Sequence, residues 1–260
     1  MSTTARGYGR AEWDAAATAR ELVWYTQPHT LGAEEDLDAA VGLLKRVQAG
    51  KLGPTIRLYR PEPTLAFGQR DVRLPGYERA RQICYEHGYT PVVRKAGGRA
   101  AAYHPGSLVL DHLEPHSDAI SGALPRFRLF GELIARAFTR AGVPAAMGEI
   151  EGEYCAGEYS IHGVDPRGED FHIKLVGTAQ RVIAGAWLFS SSIVVEDSAP
   201  IRAVLTDVYA ALELDWRPAT AGAAEDLVPG ITVKDMAQAL QDEYRDHVTV
   251  VPGSWQDLGL

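Results

Sequence analysis

The 260-residue chain is 46% hydrophobic and 23% charged, ordinary values for a globular protein with a full core in one large domain or two small ones. Its formal charge of −8 argues against a nucleic-acid binder, whose affinity comes largely from neutralising phosphates. Two cysteines make neither a disulfide framework nor a metal cluster, no apolar run approaches a membrane span, and "MSTTARGYGRAEWD" lacks the apolar centre of a secretion signal. A cytoplasmic protein with free thiols, no metal and no membrane partner is expected, in a reducing compartment that keeps a catalytic thiol available.

Residues 34–49, "EEDLDAAVGLLKRVQA", place Leu37, Ala40, Val41, Leu44 and Val47 at helical spacing, with acids first and bases last. "TIRLYRPEPTLAFGQ" reads as two short strands broken at Pro61 and Pro63. "GYERARQICYEHG" reads as a helix stopped by Gly88, with Cys84 inside it, and "TPVVRK" and "SLVLDH" as short strands. An amphipathic helix is predicted at about 124–142, with Phe127, Phe130, Leu133, Ile134, Ala137 and Phe138 on one side. "FHIKLV" and "GAWLFSSSIVV" read as adjacent strands joined by a polar turn at Gly-Thr-Ala-Gln. Two helices, "APIRAVLTDVYAALEL" and "TVKDMAQALQDEYRDH", close the chain around a loop rich in Pro, Ala and Gly. Strands and helices come in mixed order without strict βαβ alternation, which points to an α+β fold with a mixed or antiparallel central sheet flanked by helices. One domain is expected at 34–260, with residues 1–33 as an extension preceding it or packed on it.

Two stretches carry residues suited to chemistry. In "VVRKAGGRAAAYH" (92–104) a strand runs into a Gly-Gly turn beside Arg94, Lys95 and Arg99. Such a turn lets backbone approach a ligand and offers N–H groups to an anion, but it reads equally as a tight turn with solvated bases. His104 is as compatible with a structural role as with a catalytic one. In "GEYCAG" (152–157) Cys155 stands among small residues that would admit an acyl group, and a nearby cation would favour its thiolate. On strand alternation, Phe171, Ile173 and Leu175 face one way and His172, Lys174 and Val176 the other. By its residues alone Lys174 is a lysine on the wet face of a sheet, and Cys155 a buried, inert thiol.

Taken together, "PTLAFGQ" (63–69), "VRKAGGRAAAYH", "KLVGTAQR" (174–181) and "ATAGAAEDLVPGITVKDMAQAL" resemble, in order, motifs of the lipoate–protein ligase and octanoyltransferase family, which shares its fold with biotin–protein ligase. The resemblance covers most of the chain from about residue 35 onward. The first arginine of the family signature falls on Val93, leaving Arg94 to align with the second, and one extra residue stands between Gly-Gly and Tyr-His. The resemblance implies a biotin/lipoate ligase-like catalytic domain with Lys174 at the acyl carbonyl. It places Arg94, Gly97, Gly98, Arg99, His104, Gly177, Thr178 and Ala179 around the substrate. One octanoyltransferase branch uses a cysteine upstream of the lysine motif, and Cys155 lies in that place, 19 positions before Lys174, with "VDPRGED" as a turn insertion between them.

That branch implies an acyl group, octanoyl or lipoyl, passing through a Cys155 thioester onto a lysine of a lipoyl domain or glycine-cleavage H-type protein. Acyl carrier protein would be the donor, and no cofactor would be needed. Lys174 would favour the thiolate and stabilise the oxyanion, and Leu65, Phe67, Ala101 and Val176 would line an acyl tunnel. Two alternatives stay open: a lipoate–protein ligase that uses ATP and Mg through an acyl-adenylate, and a non-catalytic member that binds an acyl ligand or a carrier domain.

Overall fold

A computed structural model of the chain describes residues 10–164 and 172–260. In chain order it contains α1 (Arg10–Ala16), β1 (Glu21–Thr26), α2 (Ala33–Gln48), β2 (Thr55–Tyr59), β3 (Thr64–Phe67), α3 (Tyr77–Glu86), β4 (Thr90–Val93), β5 (Ala101–Tyr103) and β6 (Ser107–Pro115). There follow α4 (Ala123–Arg140), β7 (Ala145–Met147), β8 (Ile161–Val164), β9 (His172–Ile183), β10 (Ala186–Val194), α5 (Ser198–Ala211), α6 (Ala224–Leu227), α7 (Val233–Arg245) and β11 (Thr249–Pro252). The fold is α+β, with a mixed sheet flanked by helices. Phe171 and most of the expected turn insertion lie outside the described residues. Among the described residues no helix is long and apolar enough to cross a membrane.

Eight strands form the main sheet in the order β11-β1-β2-β6-β10-β9-β8-β7, and β4-β3-β5 form a second, smaller sheet. β1 runs parallel to β11 and β2, and the remaining neighbours of the main sheet pair antiparallel. β1 falls within the first 33 residues, expected to precede the domain or pack on it, and is instead inserted between two strands of the sheet. Its approach is fixed by Glu114, whose buried carboxylate accepts from the N–H groups of Thr18 (2.9 Å) and Ala19 (3.1 Å).

Alternation along the strands assigns the two faces of the sheet. Trp187, Phe189 and Ile193 of β10 join Phe130, Leu133, Phe138, Met236, Leu240 and Tyr244 in the core under α4 and α7. The opposite face begins apolar, with Ala186 and Leu188 against Leu43 and Leu44 of α2. It then turns to Ser190 and Ser192, which line a cavity instead of packing against a helix. α2 carries Glu34, Glu35 and Asp36 in its first turn and Lys45 and Arg46 in its last, matching the helix dipole. A third cluster joins the small sheet to α3 and α5 through Phe67, Ile83, Cys84, Val204 and Val208.

β9 differs from its expected form in two ways. It does not end at the Gly-Thr-Ala-Gln segment but continues to Ile183, pairing Gly177 with Ser192 and Ala179 with Ser190, so the hairpin turns at residues 184–185. Its register against β8 also slips: Ile161 faces Val176 while His162 faces Lys174, leaving Leu175 as an extra residue. Such a bulge reverses the alternation. Val176 goes to the core with Ile161 and Leu175, and Lys174 goes to the cavity.

Candidate active site

Cys155 sits on an irregular turn after Tyr154, with its backbone in the left-handed region at φ 44°. A non-glycine residue holds that conformation only where its surroundings fix it. Its N–H donates to the hydroxyl oxygen of Tyr209 on α5 (2.8 Å), and that hydroxyl in turn donates to the Ala100 carbonyl (3.0 Å). Its carbonyl accepts from Lys174 Nζ (2.8 Å). Both polar backbone groups of the strained residue are therefore held by side chains from distant strands and helices.

Two donors converge on the sulfur, Arg94 Nη2 (3.3 Å) and the Arg99 N–H (3.2 Å). Arg94 Nη2 also donates to the Arg99 carbonyl (2.6 Å), which locks the guanidinium over the turn. Burial works against the charge on Arg94, while the neighbouring Tyr103 hydroxyl and Cys155 thiol favour it, and the balance lies above the ordinary arginine value. The close approach depends on Gly98 at φ +106°, where an added Cβ would meet Arg94 Nη2 and lie 2.8 Å from Cys155 Sγ. The Gly97–Gly98 turn thus brings a cation and an N–H donor within hydrogen-bond distance of the sulfur.

Lys174 is fully buried, and the wet sheet face that alternation assigned to it is not where it lies. Its ammonium donates to the carbonyls of Tyr154 (2.9 Å) and Cys155 (2.8 Å) and pairs with Glu153 Oε1 (3.3 Å), 4.9 Å from the centre of the Tyr154 ring. Glu153 Oε1 also accepts from the Gly157 N–H (3.0 Å) and the Ser160 hydroxyl (2.6 Å), closing the turn that carries the cysteine. The cation on the sulfur is Arg94, and Lys174 holds the cysteine backbone.

The sulfur opens onto a cavity of about 350 Å³ between α2 and the sheet, within the range of small-molecule sites. Gly97, Gly98, Gly177, Thr178, Ala179, Arg94 and Lys174 line it together with Cys155. Thr178 also donates to the Tyr159 carbonyl (3.1 Å). Arg99 contributes its backbone N–H, while its guanidinium reaches away to Asp71 (3.0 Å). Of the expected tunnel residues, Ala101 lines the cavity. Leu65 and Phe67 point into the cluster under α3 and α5, and Val176 into the main core, so Leu37, Ala40, Val41, Phe127 and Leu188 take their place.

His104 lies outside the cavity. Its Nδ1 accepts from the Gly106 N–H (2.8 Å) and its Nε2 donates to the Asp197 carbonyl (2.7 Å), so both ring nitrogens serve a loop. Cys84 is buried against the Ala80 carbonyl, and desolvation pushes its thiol up to about 12, an inert form. Sequence reasoning missed Tyr209, Glu153, Tyr103, Tyr59 and Asp111. Nothing local marks them, because each joins the site from an element distant in the chain or through a partner that is. Among the described residues, no three His, Cys, Asp or Glu side chains gather as a metal site.

The sequence matches the lipoyl protein ligase A/B catalytic domain over residues 33–245. It is 29% identical over 163 residues to an octanoyl-[GcvH]:protein N-octanoyltransferase of Exiguobacterium sibiricum, covering 61% of this chain and 56% of that protein. It is 28% identical over 191 residues to the protein of the same name from Anoxybacillus flavithermus, covering 71% of this chain and 66% of that one. The matched part thus spans between half and two thirds of these relatives' length. The fold is similar to that of protein Ta0514 from T. acidophilum, solved with bound lipoic acid, with a TM-score of 0.68 at 16% identity over 93% of each chain. Over most of its length, from the helix that roofs the cavity to the last long helix, the chain belongs to the lipoyl protein ligase A/B catalytic domain family.

Proposed function

We propose that the protein is an acyltransferase that carries a medium-chain acyl group, octanoyl or lipoyl, as a thioester on Cys155 and passes it to a lysine of a lipoyl domain or glycine-cleavage H-type protein. The observation that carries this reading is the setting of Sγ, which accepts from Arg94 and the Arg99 N–H at the mouth of a cavity. In the first half-reaction the thiolate attacks the acyl carbonyl of a carrier thioester. The Sγ–C bond forms, the carrier's S–C bond breaks, and the carrier leaves as a thiol after taking up the proton that Cys155 gave up. In the second, the neutral amine of the acceptor lysine attacks the enzyme thioester. The amide C–N bond forms, the Sγ–C bond breaks, and a proton from the amine returns to the sulfur.

Lys174 stabilises the oxyanion by turning one N–H from Glu153, its longest partner at 3.3 Å, to the acyl oxygen, with Arg94 as the second donor. Gly177 and Ala179 keep the floor beneath the chain clear. The names of the relatives, octanoyl-[GcvH]:protein N-octanoyltransferases, support an octanoylated H-type protein as donor beside the acyl carrier protein expected from sequence. Of the basic residues that an adenylating enzyme would offer to phosphates, Arg99 is turned away to the buried Asp71. This favours transfer without ATP or Mg.

The test is intact mass after incubation with octanoyl-H protein or octanoyl-acyl carrier protein. One octanoyl group, released by hydroxylamine, absent in Cys155→Ala and discharged onto an apo lipoyl domain, is the expected result. Acylation that persists in Cys155→Ala, or that requires ATP, would overturn the reading.

A further inference from the structure

β9 is paired on both sides for only part of its length. β8 accompanies it from His172 to Val176 and stops, whereas β10 pairs with it as far as Ile183. Gly177–Ile183 is therefore a sheet edge, half-buried throughout, and among the described residues no strand pairs with its outer side. The two-residue turn at 184–185 closes on the Ile183–Ala186 pair, and in a hairpin of that length the closing pair exchanges both hydrogen bonds. Counting back by twos, Arg181, Ala179 and Gly177 bond to β10, so Val182, Gln180 and Thr178 turn their N–H and C=O groups outward. Tyr159 meets the edge at its start, where its carbonyl accepts from the Thr178 hydroxyl (3.1 Å). Gln180 and Val182 have no backbone partner on the outer side among the described residues.

Sheet edges of this length are normally blunted by charge, proline or a covering element. This one is not. Its single charged side chain, Arg181, is turned onto the Lys95 carbonyl (2.6 Å). The Gln180 amide donates to the Ala123 carbonyl (2.8 Å), which brings the start of α4 to the edge. There Leu124, one turn before Phe127 on the same side of the helix, is 59% exposed. The edge also borders the thiol cavity, which Ala179, Gln180 and Arg181 line.

We propose that the edge at 178–182 is the docking surface for the acceptor, whose lysine-bearing segment adds to β9 as a further strand. Its backbone bonds to Gln180 and Val182, and its lysine, standing opposite Ala179, shares that residue's face and points into the cavity. The small residues Gly177 and Ala179 leave room for that side chain. A second copy of this chain on the same edge would cover the mouth of its own cavity, so the edge is assigned to the acceptor. The inference rests on the reading of Cys155 as the acyl carrier, and its test separates the two.

Val182→Pro removes one outward N–H and no bond to β10, a substitution that edge strands accommodate. Val182 packs on the rim of the main core, so a melting curve accompanies the variant. Thioester formation from octanoyl-pantetheine should be unchanged. The KM for an apo lipoyl domain should rise about tenfold, the effect of one lost hydrogen bond and one unpaired carbonyl. In parallel, amide hydrogen exchange read by NMR on Cys155→Ala protein follows addition of the apo domain. The Gln180 and Val182 amides should slow, and those of Ala179 and Arg181, already bonded to β10, should not change. An unchanged KM, or no slowing with the domain in excess, would overturn the proposal. Slowing that follows enzyme concentration without the domain would assign the edge to a second copy and overturn it too. If Val182→Pro fails to fold, the exchange pattern decides alone. Slowing at the edge without any thioester in the wild type would remove the thiol reading and keep this one; a thioester with no slowing would remove this one alone.

Discussion

Replacing Lys174 with methionine keeps the length of the side chain and removes its charge. In the native protein the ammonium and the Glu153 carboxylate are both fully buried and 3.3 Å apart. The substitution leaves Glu153 without a counter-charge and deprives the carbonyls of Tyr154 and Cys155 of their donor. A lysine on a solvated strand face would be replaceable within about 0.5 kcal/mol. Breaking a buried pair from one side costs about 3–5 kcal/mol, because the remaining charge stays desolvated. At roughly 2–4 °C per kcal/mol for a chain of this size, the melting temperature should fall by about 6–20 °C. Pairing the change with Glu153→Gln should recover most of that loss, since the amide oxygen still accepts from Gly157 and Ser160 while the unpaired charge is gone. Acyl transfer should stay depressed in both variants by ~10²–10³, the usual effect of losing an oxyanion donor. The assay is a melting curve for each variant and the double variant beside transfer to a lipoyl domain. A single variant that melts like the wild type, or a double variant no more stable than the single, would refute the account of Lys174 as half of a buried pair.

Iodoacetamide at pH 8 should modify Cys155 and spare Cys84, whose desolvated thiol stands at about 12; peptide mass mapping that finds Cys84 labelled in the folded protein would contradict this. Tyr209→Phe should remove the acceptor of the Cys155 N–H, destabilise by about 1–3 kcal/mol and lower the rate of thioester formation; a denaturant curve and a rate both unchanged would show that the turn does not depend on α5. Burial alone would raise the Glu243 carboxyl, but hydrogen bonds from His247 and Arg140 and the charge of Arg136 hold it down at about 2. A folded value below the unfolded one means that its stabilisation is complete above about pH 4.5 and lost as pH falls towards 2. Glu243→Gln should therefore flatten the acid limb of stability against pH in that window; an acid limb as steep as in the wild type would contradict it.

Local pattern was enough for much of the fold. Helical spacing and charge order marked α2 and α4, the prolines marked the break between β2 and β3, and the mixed order of elements indicated the α+β class. Attention to Cys155 and Lys174, 19 positions apart, came from the resemblance to a family with a lysine motif, not from the residues alone. What the chain did not show was which groups meet. Strand alternation assigned Lys174 and Val176 to one face, and they lie on opposite sides because the pairing with β8 bulges at Leu175, a property of two strands together. A lysine is stable in the interior only beside a counter-charge and acceptors, and those come from the turn at 153–155, brought to β9 by the sheet. Arg94 reaches the sulfur across 61 residues and Tyr209 holds its backbone across 54, separations at which no local signal survives. His104 was expected at the substrate from the family signature, while the acceptor that fixes its ring is the carbonyl of Asp197, at the start of α5 and 93 residues away. Periodicity and turn chemistry are short-range and can be read along a chain; the placement of a buried charge is decided by partners that only the folded chain assembles.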